Sequence, residues 1–189
     1  MSERKISLIT MGQGNMKALK KTLDSFKDVC NEVVYGDLLI FEEDRLLLKE
    51  YQKEYNLKIV PLVFNHIFKN GFAKTLNDIA FHATNDFVLY MNTSEVVDGE
   101  QRILRLMNEM FHEYNCFAFD HAQESHSWFR LYNRHEVWWD GVIHEELIGN
   151  RKDCPYYLFR MKDEEKDNDD TFKAKVYNDI KEICYFYQY

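Results

Sequence analysis

Apolar and polar positions in the first half of the chain alternate between the spacing of strands and the spacing of helices. Strand-like apolar runs are predicted at residues 6–11, 33–40, 57–64 and 87–91. Helical apolar faces are predicted between them, carried by Met16, Leu19, Leu23 and Phe26, by Leu47, Tyr51 and Tyr55, and by Phe72, Leu76, Ile79, Ala80 and Ala83. Strands that alternate with helices in this way indicate βαβ units, right-handed crossovers and a mainly parallel sheet.

The pattern changes in the second half. A helical face formed by Ile103, Leu104, Met107 and Phe111 leads into short strand-like runs at residues 116–119, 127–132 and 136–138, without helices between them. We expect these runs to form a β-rich second half on the same sheet. A final amphipathic helix is predicted to begin near Asp170, which is a suitable N-cap. No linker or repeat divides the chain, so one domain over residues 1–189 is expected.

Residues 92–95, with the sequence Asn-Thr-Ser-Glu, interrupt this pattern because they directly follow a buried strand. In an open α/β sheet, ligands bind outside the carboxyl ends of the strands. Polar residues that end a buried strand are therefore placed at the mouth of a binding site. The chain is predicted to bind a ligand at this edge.

Composition and charge exclude several classes of protein. The 189 residues carry a net charge of -8 without a Lys/Arg block, which argues against a dedicated nucleic-acid surface. The four cysteines are far apart and form no CxxC pair, so they predict reduced core thiols rather than a disulfide framework or a zinc site. No stretch approaches the roughly 20 apolar residues of a membrane span, and the N-terminus lacks a signal peptide's apolar region. A cytoplasmic location is expected, with peripheral membrane attachment left open.

Four stretches, in order along the chain, carry a resemblance to a known family. They are "ISLITMGQGNMKALKKTLDSF", "EVVYGD", "FAKTLNDIAFHATNDFVLYMNTSE" and "WFRLYNRHEVWWDGVIHEEL", which together span about Lys5 to Gly149. The chain resembles family 2 glycosyltransferases of the GT-A fold, in the branch that includes lipopolysaccharide core enzymes. The resemblance implies a single GT-A-like α/β domain with a mainly parallel mixed sheet flanked by helices. It implies a nucleotide-binding half at residues 1–98, an acceptor half at 99–160 and a C-terminal helix and tail at 161–189.

The family's Asp-x-Asp motif holds a divalent cation, which stabilises charge on the leaving pyrophosphate of a nucleotide-sugar donor. Here Asn92 and Ser94 stand where the resemblance places the two aspartates, which leaves Glu95 as the carboxylate of the segment. Three interpretations stay open. The donor binds with a weakly held Mn²⁺ or Mg²⁺ through Glu95 and His144; it binds without metal, through hydrogen bonds from Asn92 and Ser94; or the site has decayed.

Further donor-binding residues follow from the resemblance. Met11 belongs to the first loop, which in the family passes close to the nucleotide. Asp37 aligns with the acid that binds the base, and Asn77 aligns with a site-facing helix residue. The residues themselves also allow structural roles, because Gly36 and Asp37 favour a turn and an Asn within a helix can be solvated or satisfied in the core.

The segment "WWDGVIHEE" supplies the acceptor side of the predicted site. His144 is a candidate ligand for a metal or a donor phosphate, and Glu145 or Asp140 is a candidate general base, with Glu145 favoured. Trp138 and Trp139 are candidates for stacking on a sugar, although large aromatic residues are more often core. The simpler interpretation of this segment is that His144 has a structural role and that Glu145 and Glu146 are an exposed charged pair.

The sequence therefore predicts a glycosyltransferase that moves a sugar from a nucleotide-sugar donor to an acceptor hydroxyl with inversion. The alternative is a catalytically degenerate domain of the same fold that binds a nucleotide, a sugar or a partner. A nucleotidyltransferase is less favoured, because the loop after the first strand lacks positive charge. The acceptor stays open between a saccharide, a lipid-linked glycan, a protein and a modified base, and the oligomeric state stays open as well.

Overall fold

The computed structural model describes residues 5–12, 15–38, 42–62, 65–98, 110–121, 127–141, 145–155 and 160–163. Three sequence predictions lie outside these residues: most of the helical face around Met107, the role of His144, and the C-terminal helix after Asp170. No helix among the described residues is long and apolar enough to cross a membrane.

The described residues form helices and strands in a βαβ order that gives way to strands. The strands are β1 (Ile6–Gly12), β2 (Glu32–Asp37), β3 (Leu57–Pro61), β4 (Phe87–Tyr90), β5 (Glu95–Asp98), β6 (Cys116–His121), β7 (Ser127–Asn133), β8 (Val137–Asp140), β9 (Glu146–Gly149) and β10 (Arg160–Asp163). The helices are α1 (Met16–Phe26), α2 (Glu42–Glu54) and α3 (Asn65–Phe81). The side chain of Asn15 caps α1 by accepting a hydrogen bond from Ala18 N at 3.1 Å.

Eight of the described strands form one sheet in the order β3-β2-β1-β4-β7-β6-β10-β5. The four strands from β3 to β4 are parallel, as predicted. β7 is antiparallel to both β4 and β6. The prediction that every run of the second half joins this sheet was wrong for the run at Trp138, because β8 pairs with β9 in a separate antiparallel hairpin. Strands β5, β9 and β10 were not predicted.

Both faces of the sheet are covered, which explains why all seven residues of β1 are buried. Leu8 faces the side covered by α1 and α2, and Ile9 faces the side covered by α3 and the hairpin of β8 and β9. The hairpin packs because Val137, Trp139 and Leu147 all lie on its inward face. A strand pattern that is apolar on both faces is typical of a parallel sheet between two layers.

Two helices differ in detail from their predicted apolar faces. The buried residues are Leu48 and Tyr51 in α2 and Tyr55 directly after it, whereas Leu47 is 40% exposed, so the prediction of Leu47 was wrong. Spacings of three and four residues from Tyr51 both fit a helix, and only the packing of α2 decides between the two leucines. Helix α3 is interrupted at Gly71, where φ is 75°.

Candidate active site

The carboxyl ends of β1, β2 and β4 meet at one edge of the sheet. Gly12 pairs with Asp37 in the parallel register, and Leu38 N donates to Gly12 O at 3.3 Å. Gly12 also touches the segment after β4, since a Cβ on it would lie 2.9 Å from Thr93 Cγ2 and 3.2 Å from Tyr35 Oη. The structure therefore places the end of β1, half-buried Asp37 and residues 92–95 side by side. The side chain of Met11 is buried in the core beneath this edge.

Glu95, the last residue of the segment 92–95, forms a buried bidentate ion pair with Arg130. Arg130 Nη1 donates to Glu95 Oε2 at 3.0 Å, and Nη2 donates to Oε1 at 2.9 Å. The Arg130 side chain is 8% exposed and the Glu95 side chain 3%. Asn92 completes the arrangement, because its backbone N donates to Oε2 at 2.7 Å and its Nδ2 donates to Oε1 at 3.0 Å.

This arrangement bears on the metal predicted for the site. A carboxylate offers about four lone-pair positions, and Glu95 uses two on each oxygen for Arg130 and Asn92. In this conformation Glu95 does not fit the role of a metal ligand. No group of three or more His, Cys, Asp or Glu side chains that could hold a metal occurs within the described residues. A metal bound through His144 stays a prediction.

The segment 92–95 is held from two sides. On one side, Tyr90 Oη donates to Asn92 Oδ1 at 2.7 Å, and the Arg130 guanidinium lies 5.1 Å from the centroid of the Tyr90 ring. On the other side, Thr22 Oγ1 on α1 lies 2.9 Å from Thr93 O and 3.0 Å from Glu95 O, and its hydroxyl donates to these two carbonyls. The loop is therefore a fixed element of the edge, with half-buried Ser94 among its residues.

Asn77 holds the hairpin against α3. Its Nδ2 donates to Trp139 O at 2.7 Å, and its Oδ1 accepts from Trp139 N at 2.9 Å. The amide thus pairs with both backbone groups of one residue, as a neighbouring strand would. The structure brings Asn77 to the hairpin, and the predicted contact of Asn77 with the donor stays a prediction.

The two tryptophans have different surroundings. Trp139 is 6% exposed and lies edge-on to the rings of Tyr90 and Tyr132, while its Nε1 donates to Tyr132 Oη at 3.1 Å. Burial raises the pKa of the Tyr132 phenol, which keeps it neutral in this cluster. Trp138 is 47% exposed. Of the two rings, Trp138 is the one open to solvent, and its stacking on a sugar stays a prediction.

The two candidate bases lie at one end of the hairpin. Asp140 is the last residue of β8, and Glu145 directly precedes Glu146, the residue that pairs with Asp140. Asp140 is exposed and Glu145 is half-buried. Gly141, with a φ of 100°, turns the chain away from β8. Both carboxylates thus lie at the same end of the hairpin, on either side of residues 142–144, which are outside the described residues.

An open cleft of about 650 Å³ lies at the opposite edge, beside the amino ends of β1 and β4. Its lining includes Lys5, Thr84, Asn85, His112, Asn115 and Lys152. None of the residues predicted for the site lines this cleft. Because ligands in open α/β sheets bind at the carboxyl ends of the strands, we place the candidate site at that edge despite the size of the cleft.

Sequence reasoning assigned no role to Arg130, Tyr90 or Thr22. Arg130 could have been found, because it stands in the otherwise apolar run "WFRLY" and a charge on a buried strand requires a partner. Tyr90 and Thr22 offered no such pattern, since a Tyr in a strand and a Thr in a helix are ordinary residues of a core.

Comparison with solved structures gives the fold class. The chain is similar to the crystal structure of S. aureus TarS, with a TM-score of 0.57 at 13% identity over 92% of this chain and 39% of that chain. Against TarS 1-349 the TM-score is 0.59 at 11% identity, over 93% of this chain and 70% of that chain. Against TarS 1-349 in complex with UDP-GlcNAc it is 0.57 at 14% identity, over 86% and 60%.

These likenesses show a mixed α/β fold of the GT-A type, matching glycosyltransferase neighbours. The chain spans 39% of the length of the first of these TarS chains. No protein-family model matches the sequence, and no curated protein matches it.

Proposed function

We propose that the chain is a glycosyltransferase domain that binds a nucleotide-sugar at the carboxyl edge of β1, β2 and β4. The observation that carries the proposal is the junction of Gly12, Asp37 and Thr93, where three strand ends and a fixed polar loop form one edge. The shared fold with a TarS structure that contains UDP-GlcNAc supports this choice of ligand. Membership of family 2 is part of the proposal.

The donor is held by hydrogen bonds rather than by a metal on Glu95. Asp37 accepts from the nucleotide base or ribose. Ser94 and the second Nδ2–H of Asn92 offer neutral donors to the phosphates, because the first Nδ2–H and Oδ1 of Asn92 bind Glu95 and Tyr90. The support for a metal-free role of this loop is the Glu95 carboxylate, whose acceptor positions are used by Arg130 and Asn92. The ion pair keeps the loop in place without a cation.

The transfer is an inverting displacement. The acceptor hydroxyl attacks the anomeric carbon, the bond from that carbon to the diphosphate oxygen breaks, and a carboxylate takes the hydroxyl proton. Glu145 is the favoured base and Asp140 the second candidate, because both lie at the loop end of the hairpin. Burial of Glu145 to an intermediate degree favours it over exposed Asp140.

A degenerate binding module is the second candidate. The observation that favours it is the same one that argues against a metal: the motif has neutral residues at 92 and 94, and its carboxylate is committed to Arg130. A domain of this kind would bind the nucleotide and release no product.

A thermal-shift panel separates these functions. UDP, GDP, CMP, TDP and their sugars are added with EDTA, Mn²⁺ or Mg²⁺, and nucleotide release is measured in parallel. A ligand at 100 times its dissociation constant should stabilise the fold by about 2.7 kcal/mol. We expect a nucleotide-selective shift that survives EDTA.

The matched variants are Asp37→Asn at the proposed site and Asp86→Asn at the opposite edge of the sheet. The shift should fall in Asp37→Asn and persist in Asp86→Asn. Binding without product release by any donor and acceptor favours the degenerate module. No shift with any nucleotide contradicts both functions.

A further inference from the structure

The hairpin of β8 and β9 has an outward face that combines an exposed aromatic ring with two carboxylates. In an antiparallel pair, directly opposed residues lie on the same face, and alternate residues share it. Trp138 opposes Ile148 and Asp140 opposes Glu146, so these four residues form one face. Trp138, Asp140 and Glu146 are exposed, whereas Val137, Trp139 and Leu147 on the opposite face are buried. We call these four residues the outward face.

Trp138 is held as a platform on this face. A Cβ on Gly149 would lie 2.7 Å from Trp138 Cζ3 and 3.1 Å from Cε3, so the six-membered ring rests directly against the glycine backbone. Gly149 has a φ of 112°, a conformation that side chains other than glycine rarely adopt. With one part of the ring packed on this backbone and 47% of the residue exposed, an apolar surface is presented to solvent.

The polar groups beside this ring are acidic. Asp140 and Glu146 lie directly opposite each other in the hairpin. Two like charges in this position repel each other and destabilise the hairpin. The nearby cation, Arg151, is engaged: it donates to both Asp153 oxygens, at 2.9 Å and 2.8 Å, and to Leu147 O at 2.6 Å. Carboxylates beside an aromatic ring can accept from hydroxyl groups, and they repel phosphate or sulfate.

The outward face has a fixed relation to the proposed donor site. Trp139 lies on the inward face of the same strand, where Asn77 binds its backbone and Tyr90 packs against its ring. Tyr90 in turn donates to Asn92 in the donor loop. The platform and the donor loop are thus joined through two side chains.

We propose that the outward face binds the acceptor, and that the acceptor is an uncharged saccharide whose ring stacks on Trp138 while Asp140 and Glu146 accept hydrogen bonds from its hydroxyls. This inference rests on the proposed function and narrows it, because it selects a neutral saccharide over an anionic, phosphate-bearing polymer. The selection follows from the charge of the face.

The test compares neutral and anionic probes by saturation-transfer NMR. Maltohexaose, cellohexaose and chitohexaose are the neutral probes, and a glycerol-phosphate polymer and dextran sulfate are the anionic ones. We expect a neutral probe to bind, Trp138→Ala to weaken that binding about three- to tenfold, and Trp138→Phe to retain most of it. Leu46→Ala, at an apolar residue that is 67% exposed on α2, is the control that should bind normally.

Charge is tested with Glu146→Lys, which should weaken binding of the neutral probe and increase binding of the anionic polymers. Tighter binding of an anionic polymer by the wild type overturns the proposal. It is also overturned if no neutral probe binds, or if Trp138→Ala binds as well as the wild type.

The nucleotide shift is measured on the same variants to keep the two proposals apart. A shift that is preserved in Trp138→Ala while saccharide binding is lost supports both. A wild type that binds nucleotide but no saccharide refutes the acceptor platform, and one that binds saccharide but no nucleotide refutes the proposed transferase.

Discussion

Arg130 and Glu95 join parts of the sheet that are not neighbours. Arg130 lies in β7 and Glu95 begins β5, and β6 and β10 stand between these strands in the sheet order. The ion pair therefore ties the loop after β4 to the middle of the sheet. A loop held in this way needs no ligand to adopt its conformation.

Removing one partner of this pair should destabilise the fold strongly. We expect Glu95→Leu to lower the free energy of unfolding by about 3–5 kcal/mol, because Arg130 is left buried without its carboxylate. The double variant with Arg130→Met should lose much less than the sum of the two single changes. Urea unfolding measures all three, and Asp153→Asn, in an exposed ion pair with Arg151, should change stability by about 1 kcal/mol or less. Additive single changes would contradict the coupling.

Gly12 and Thr93 should be coupled through their contact. Gly12→Ala places a methyl group 2.9 Å from Thr93 Cγ2, closer than side chains pack, so the donor loop has to shift. We expect a loss of about 1–3 kcal/mol in stability and a weaker nucleotide shift. Thr93→Ser removes the obstructing methyl group. The double variant with Gly12→Ala should therefore recover part of the stability and part of the nucleotide shift. If Thr93→Ser gives no recovery, the contact does not set the loop's place.

The first half of the fold could be predicted because its physics is local. In α1 the helical spacing of Met16, Leu19 and Phe26 identified residues that are all buried. The rule that ligands bind at the carboxyl ends of parallel strands placed Asn92 at the predicted binding edge. These predictions need only periodicity and the order of elements, whereas Asp37 was predicted from the resemblance to a known family.

The second half depends on contacts between distant residues. The sequence of β8 is typical of another strand of the main sheet. Its place in a separate hairpin is explained only by the packing of Trp139 against Tyr90 and by the hydrogen bonds between Asn77 and Trp139. From the sequence, Glu95 looks available to bind a ligand, because its ion-pair partner Arg130 lies 35 positions further along the chain. No local pattern contains either fact.

The buried thiols should be inert in the folded protein. Cys116 and Cys154 are buried, and they belong to the cores on opposite faces of the sheet. Burial raises the pKa of the Cys116 thiol to about 12, so on the order of one thiolate in ten thousand exists at pH 8. Iodoacetamide labelling, mapped by mass spectrometry, should modify both residues in urea and neither in buffer. Rapid labelling of native Cys116 would contradict its burial.

Asn77 should act on the hairpin rather than only on the stability of α3. Asn77→Ala leaves the N–H and C=O of Trp139 without their partner, which should lower the free energy of unfolding by about 1–3 kcal/mol. Asn77→Asp keeps the acceptor for Trp139 N but turns a second oxygen towards Trp139 O. It should therefore lower the free energy of unfolding at least as much as Asn77→Ala does. Lys74→Ala, at an exposed residue of the same helix, should change stability by less than about 0.5 kcal/mol.

Hydrogen exchange locates the effect of Asn77. In Asn77→Ala the amides of β8 and β9 should exchange faster, while those of β1 and β2 keep their protection, because the hairpin is a separate pair of strands attached through α3. A uniform increase over the whole sheet would mean that Asn77 supports the core in general. A local increase, together with a weaker acceptor interaction and an unchanged nucleotide shift, would assign Asn77 to the placing of Trp138 and Asp140 and not to the donor.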